Sequence, residues 1–86
     1  MIIKDIQHVQ NGVTRTDGRY PLRIGSNVEF YIQPECGDYM WLQYVTDNQG
    51  NPKGGVLRTS LVTSIKDVGL EIVVDTMNSR YIFSKV

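Results

Sequence analysis

The sequence predicts an all-β protein, a small antiparallel barrel of the SH3-like or OB-like kind with roughly five to seven short strands. Three observations support this fold class. Apolar and polar residues alternate at period two, clusters of turn residues separate the alternating runs at roughly 8–12-residue intervals, and no window has helical periodicity. The chain has 86 residues, which suits a single domain over residues 1–86 and is too short for a full immunoglobulin-size sandwich.

The N-terminal third predicts the least regular elements. Isoleucine and valine within residues 2–9 are spaced so that they suit either one short helical turn or an irregular strand. Asn11-Gly12 is a strong signal for a two-residue hairpin turn, and Asp17-Gly18 marks a second turn. Residues 20–24 predict a further short strand.

Two strands are predicted in the middle of the chain. Residues 27–33 alternate until Pro34, which cannot donate a hydrogen bond to a neighbouring strand. The apolar face of that run comprises Val28, Phe30 and Ile32. Residues 39–45 alternate as well, and both of their faces are apolar, which indicates a strand that is covered on both sides or lies in an interface. The following loop, residues 47–55, predicts a flexible hairpin connection, with a mobile binding loop as the alternative.

Three consecutive antiparallel strands are predicted over residues 56–86. The inner face expected for the first comprises Leu57, Thr59, Leu61, Thr63 and Ile65. A turn at residues 67–69 leads into a hairpin with Met77-Asn78 at its tip, where Asn78 is expected in the left-handed conformation. Pairing across the 67–69 turn is expected to align Ser60 with Thr76.

Apolar residues on the outer faces of these strands indicate a binding surface. Trp41, Val73 and Ile82 each lie opposite the face that the alternation assigns to the core. A chain this small has little material to cover two faces, so a protein partner or a second copy of the chain is expected to cover one. The alternative is that barrel curvature and the N-terminal segment cover these residues.

Arginines supply the remaining candidate binding residues. Arg15, Arg19 and Arg23 form the only local basic cluster, and with interleaved tyrosines they suit single-stranded nucleic acid as an alternative ligand. Nine basic residues balance nine acidic ones, so no global field attracts nucleic acid, and this partner is not favoured. Arg58 and Arg80 are expected at the margin of a polar patch around Asn78 at the hairpin tip.

The residues needed for catalysis or metal binding are scarce. His8 is the only histidine and Cys36 the only cysteine, so the chain alone cannot build a zinc site of Cys and His ligands. The two carboxylates beside Cys36 raise rather than lower the pKa of a thiol, which argues against an activated thiolate. The 47–55 loop matches neither a phosphate loop nor a calcium-binding loop. We therefore expect no enzyme activity, no catalytic residue, no metal and no cofactor.

Two short segments near the C-terminus carry a family resemblance. Residues 57–62 contain Thr-Ser-x-Val and residues 75–81 contain Thr-x-Asn-Ser-x-Tyr. Together they resemble a family of uncharacterised small bacterial and phage all-β proteins, which implies such an origin and no known activity.

The expected location is the cytoplasm. One cysteine forms no internal disulfide, and no apolar run reaches the ~18 residues of a membrane helix, so no membrane partner is expected. The sequence thus leads to the hypothesis of a non-enzymatic interaction module that binds a protein partner or itself, with a single-stranded nucleic-acid-binding barrel as the alternative.

Overall fold

A computed structural model describes all residues from 1 to 86 and shows six strands and one short helix. The elements are β1 (Ile2–His8), α1 (Tyr20–Arg23), β2 (Asn27–Phe30), β3 (Tyr39–Thr46), β4 (Val56–Asp67), β5 (Glu71–Thr76) and β6 (Ser79–Ser84). Each strand pairs antiparallel with the strands next to it in the chain, and β1 also pairs with β6. The sheet therefore closes into a ring, and the predicted small antiparallel all-β barrel is confirmed.

Because successive strands run in opposite directions, the connections alternate between the two ends of the barrel. One end, here called the helix end, carries the connections 9–26, 47–55 and 77–78. The other end, here called the turn end, carries the connections 31–38 and 68–70 together with both chain termini. Segments that are far apart in sequence thus meet at the helix end.

Nine buried apolar side chains fill the interior of the barrel. They are Ile3, Ile6, Val28, Met40, Leu42, Val62, Val74, Tyr81 and Phe83. Phe83 is at the centre of the aromatic contacts, since its ring meets Phe30 edge-on at 5.5 Å and stacks with Tyr81 at 6.1 Å between centroids. Full burial of such a side chain contributes about 1.5–3 kcal/mol to stability, so this cluster supplies the main driving force for folding.

The N-terminal segment forms a strand, which decides between the two predicted alternatives. The pairing of β1 with β6 shifts register between Ile3 and Asp5, as in a β-bulge. The shift explains how Ile3 and Ile6 are both buried although their spacing is not a multiple of two. A turn is present at Asn11-Gly12, but the loop is longer than the predicted two residues. His8 donates its N–H to the Val13 carbonyl at 2.8 Å, so the loop comprises residues 9–12, and Gln7 pairs with Thr14.

The inner face predicted for β4 is correct only at its beginning, since Ile65 at its far end is 36% exposed and lies outside the core cluster. Leu57 packs against the core and Thr59 is buried as expected, but Val62 is then buried in place of Leu61. The cause is a register shift in the β3–β4 pair, where an advance of three residues along β4 matches an advance of two along β3. A second register shift, in the β4–β5 pair, lies between Val62 and Ser64. Each bulge turns the alternation by one residue, so Leu61 and Thr63 leave the core face.

Two predictions about strand extents are also wrong. Residues 20–23 form one helical turn and not a strand, and Pro21 fits there because a proline in the first turn has no intrahelical N–H bond to lose. Strand β2 ends at Phe30, so Ile32 lies outside it and is 57% exposed.

The hairpin tip at Met77-Asn78 is confirmed, but its backbone differs from the prediction. All residues with positive φ are glycines, so Asn78 is not left-handed. The tip is instead held by Thr76, whose Oγ1 accepts the Ser79 N–H at 3.1 Å and donates to the Ser79 carbonyl at 3.0 Å. Thr76 faces Val62, and the Ser60 hydroxyl accepts the Asn78 N–H at 3.3 Å, so the predicted alignment of Ser60 with Thr76 is wrong by two residues.

Candidate binding cleft

A cleft of about 240 Å³ at the helix end is the strongest candidate site, and we call it the basic cleft. Helix α1 forms one wall with Leu22, Arg23 and the preceding Arg19. The opposite wall and floor comprise Tyr44, Lys53, Val56 and Leu57. The cleft therefore lies between the connection 9–26 and the β3–β4 hairpin. Its lining combines three cations with apolar surface, and no carboxylate is part of it.

The α1 wall is fixed by Tyr20, which packs against the core. The guanidinium carbons of Arg15 and Arg23 lie 4.1 and 5.0 Å from the centre of the Tyr20 ring. Arg15 is itself held by Asp17 at 2.7 Å, and it donates to the Asn78 carbonyl at 3.0 Å and to the Ser79 hydroxyl at 2.8 Å. Arg15 thus connects α1 to the hairpin tip, and its charge is already used in holding the wall.

The opposite wall is an ordered loop. The Asp47 carboxylate accepts N–H bonds from Asn51 and Gln49, both at 2.9 Å, and these bonds lower the pKa of Asp47. Lys53 donates its N–H to the Val45 carbonyl at 3.1 Å, and its ammonium lies 4.5 Å from the centre of the Tyr44 ring. The 47–55 loop therefore has internal bonds that place Lys53 over the cleft floor.

The charges around the cleft are not neutralised within the chain. Four of the nine basic side chains form ion pairs with a carboxylate, namely Lys4, Arg15, Arg80 and Lys85. Three of the other five are the cleft cations Arg19, Arg23 and Lys53. Like charges around one concave surface raise the local potential, so the cleft attracts an anionic group.

Two neutral phenols lie close to these cations. Burial raises the pKa of Tyr81 to about 12, although the nearby positive charge of Arg23 opposes the shift. Burial also raises the pKa of Tyr44, again against the charge of Arg23. Both residues therefore keep their phenolic protons at neutral pH.

A second cleft, of about 300 Å³, lies on the other side of α1. It includes His8, whose Nε2 is 4.0 Å from the Asp17 carboxylate. The hydrogen bond from Arg15 lowers the pKa of Asp17 to about 2, so this carboxylate stays ionised. The one guanidinium lining this cleft is that of Arg15, which is already bonded, so the second cleft offers an anion less than the basic cleft does.

The structure distributes the predicted binding residues over several places. Arg19 and Arg23 both line the basic cleft. Arg15 does not line it, and instead binds Asp17 and contacts the Tyr20 ring. Trp41 is half-buried on the outer face of β3, and the Arg58 guanidinium carbon lies 5.9 Å from its ring centre and 4.7 Å from that of Tyr39.

The two predicted residues at the hairpin tip have separate neighbours. Asn78 offers its carbonyl to Arg15, and Arg80 forms a two-bond ion pair with Asp75 at 2.7 and 3.1 Å. Of the other outer-face residues, Val73 and Ile82 are half-buried partners across the β5–β6 pair.

Sequence reasoning missed five of the seven lining residues, namely Leu22, Tyr44, Lys53, Val56 and Leu57. One signal for Lys53 was available in the sequence, since it is the single cation in a polar loop that joins two strands. Such loops lie at the end of a barrel, where binding residues are common. Nothing in the local sequence indicates that residues 19–23 lie opposite this loop, since that proximity arises only when the ring closes.

Comparisons with protein-family models, with curated proteins and with solved structures found no match to this chain. No group of three or more His, Cys, Asp and Glu side chains is placed to hold a metal ion. The helix is a single turn, so no helix here has the length and apolar character needed to cross a membrane.

Proposed function

We propose that this protein is a non-enzymatic binding module that takes an acidic and apolar segment of a protein partner into the basic cleft. The observation that carries the proposal is the gathering of Arg19, Arg23 and Lys53 around one cleft that also has apolar side chains in its walls. None of these three cations is in an ion pair. A carboxylate entering the cleft meets three donors, and an apolar neighbour in the same segment meets Leu22, which is 66% exposed, or Val56, which is 45% exposed.

The aromatic rings at this end favour a peptide over single-stranded nucleic acid. Nonspecific binding of single strands uses aromatic faces on which successive bases stack. Two guanidinium groups already lie over the Tyr20 ring, and the Lys53 ammonium lies over the Tyr44 ring. The cations therefore occupy ring surface that bases need.

The size of the cleft indicates a modest affinity for one short segment. An ion pair at an exposed site contributes about 0.2–1 kcal/mol, and buried apolar surface adds about 25 cal/mol per Å². Association itself costs several kcal/mol, so a few such contacts support an affinity no tighter than roughly micromolar order. The exposed thiol of Cys36 suits a reducing compartment, which supports the bacterial or phage-infected cytoplasm as the place of action.

Binding of short labelled peptides tests the proposal. Peptides that combine Asp or Glu with Leu or Ile are compared, by fluorescence anisotropy, with peptides in which Lys replaces each acid and with a labelled single-stranded oligonucleotide. We expect the acidic peptides to bind at least about tenfold more tightly than the basic ones, and added salt to weaken that binding.

Charge-reversed variants locate the site. Arg19→Glu removes a cleft cation and is expected to weaken acidic-peptide binding at least about tenfold, which corresponds to about 1.4 kcal/mol. Lys66→Glu is the matched control, since Lys66 is an exposed cation without an ion pair on β4, outside the cleft. Equal binding of acidic and basic peptides, equal effects of the two variants, or a preference for the oligonucleotide would each refute the proposal.

A further inference from the structure

The acidic side chains of this protein, like the basic ones, include some with a bonding partner within the chain and some without. Six of the nine carboxylates accept a hydrogen bond or form an ion pair: those of Asp5, Asp17, Asp47, Asp67, Glu71 and Asp75. Three remain without a bonding partner, and two of these, Glu35 and Asp38, lie in the 31–38 connection at the turn end. We call residues 31–38 the acidic loop.

The acidic loop combines its carboxylates with exposed apolar surface. Tyr31 is 60% exposed and Ile32 is 57% exposed, close in sequence to the two acids. This is the combination of chemistry that the basic cleft suits, because a carboxylate meets the cleft cations and an apolar side chain meets the cleft walls. The loop carries two acids and no base, and the cleft carries three cations and no acid.

The backbone of the acidic loop is held in place. Tyr31 donates its N–H to the Trp41 carbonyl at 2.9 Å, and Gly37 donates to the Val62 carbonyl at 2.8 Å. Val62 in turn donates to the Asp38 carbonyl at 2.8 Å, and Pro34 is buried. A loop already fixed in one conformation loses little entropy when it binds, so it is suited to act as a ligand.

The loop and the cleft cannot meet within one molecule. The acidic loop connects β2 to β3 at the turn end, whereas the walls of the cleft belong to the helix end. Complementary surfaces at opposite ends of one chain can pair only between copies.

We propose that the partner of the basic cleft is a second copy of this chain, with the acidic loop of one copy seated in the cleft of the next. This inference rests on the proposed function, because it identifies the acidic and apolar segment that the cleft takes. After one such contact the first copy keeps an unused cleft and the second keeps an unused loop, so the contact is head-to-tail and propagates into a ring or an open filament. The formal charge of zero keeps successive copies from repelling one another.

Two variants, each defective in one of the surfaces, test the assembly. Arg19→Glu with Lys53→Glu disables the cleft, and Glu35→Lys with Asp38→Lys disables the loop. None of these four side chains takes part in an ion pair, and circular dichroism checks that both variants fold. Mass is measured by sedimentation across a concentration series up to about 100 μM, well above the Kd of most specific contacts.

The expected result has three parts. The unmodified protein forms species that grow with concentration and shrink with added salt. Each variant alone is monomeric. An equal mixture of the two gives a one-to-one heterodimer and nothing larger, because the pair contains a single intact cleft and a single intact loop. A monomeric unmodified protein, a loop variant that assembles as the unmodified protein does, or a symmetric dimer in both variants would overturn the inference.

Peptide binding separates this inference from the proposed function. The loop variant keeps its cleft, so it is titrated with a labelled peptide of residues 31–38 and with the acidic test peptides used above. Binding of the acidic test peptides without self-assembly of the unmodified protein would refute the second-copy partner and leave the proposed function standing. Absence of both would refute both.

Discussion

Alkaline pH is expected to destabilise this protein through Tyr81. The side chain is 2% exposed, and burial raises its pKa to about 12 from the ordinary 10.0. In the unfolded chain the phenol loses its proton near pH 10, whereas in the folded chain it keeps the proton until about pH 12. The contribution of Tyr81 to the free energy of unfolding is therefore fully present below about pH 10. It is lost as the pH rises toward 12, because the unfolded chain releases the phenolic proton first.

The size of the effect follows from the pKa difference. Each pKa unit corresponds to 1.36 kcal/mol, so a difference of about two units removes about 2.7 kcal/mol in total, and about half of this is lost by about pH 11. Small domains have about 5–15 kcal/mol of stability, so the loss is a substantial share.

Comparison with Tyr81→Phe isolates this contribution from the lysines and other tyrosines that titrate in the same range. Urea unfolding, followed by Trp41 fluorescence, is measured for both proteins at about pH 8 and about pH 11. We expect the unmodified protein to lose about 1.4 kcal/mol more than Tyr81→Phe between these two conditions. Equal losses in the two proteins would show that Tyr81 ionises without cost and would refute the reasoning.

Two further substitutions test the backbone and the core. Gly25→Ala is expected to lower the free energy of unfolding by about 1–3 kcal/mol, because Gly25 has φ of +93° and an added Cβ comes within 3.3 Å of the Asn48 Cβ. Gly54→Ala serves as the control, since nothing lies within 4 Å of a Cβ added there. Thermal unfolding measures both, and equal midpoints would contradict the prediction. Phe83→Ala is expected to cost about 3–5 kcal/mol by leaving a cavity in the barrel, while Leu70→Ala, at a side chain that is 70% exposed, changes stability by less than about 0.5 kcal/mol. Urea unfolding compares these two variants, and a similar cost for both would show that Phe83 does not fill the core.

The elements that the sequence predicted correctly are those whose alternation is uninterrupted. Strand β3 buries Met40 and Leu42 as period two requires, and β5 and β6 meet at the expected tip. Short-range patterns of this kind reflect local sterics and one buried face, and both are properties of a few consecutive residues.

The parts that could not be predicted depend on contacts between distant segments. The bulges in β4 adapt its 12 residues to two different neighbours, and no residue of β4 marks their positions. The Tyr20–Arg23 turn alternates as a short strand does, yet packing of Tyr20 against the core and between arginines decides for a helix. Most of the basic cleft was missed for the same reason, since Lys53 lines one cleft with Arg19 and Arg23 only through the closed ring.

The closure of the ring connects binding at the cleft to local opening of the barrel. Strand β1 pairs with β6 along its length but with β2 only at Ile2 and Asn27. The 9–26 connection covers the rest of that edge, for example through the Arg15 N–H to the Ile6 carbonyl at 2.8 Å and the Gly25 N–H to the Ile3 carbonyl at 2.7 Å.

The 9–26 connection also contains α1, so the segment that covers the sparsely paired edge between β1 and β2 is also one wall of the cleft. A ligand that bridges the two walls therefore stabilises the closed barrel against opening at the β1–β2 edge. At a ligand concentration of about 100 Kd, it raises the free energy of this opening by about 2.7 kcal/mol. Amide hydrogens along the β1 edge are then expected to exchange with solvent more slowly whenever the cleft is filled.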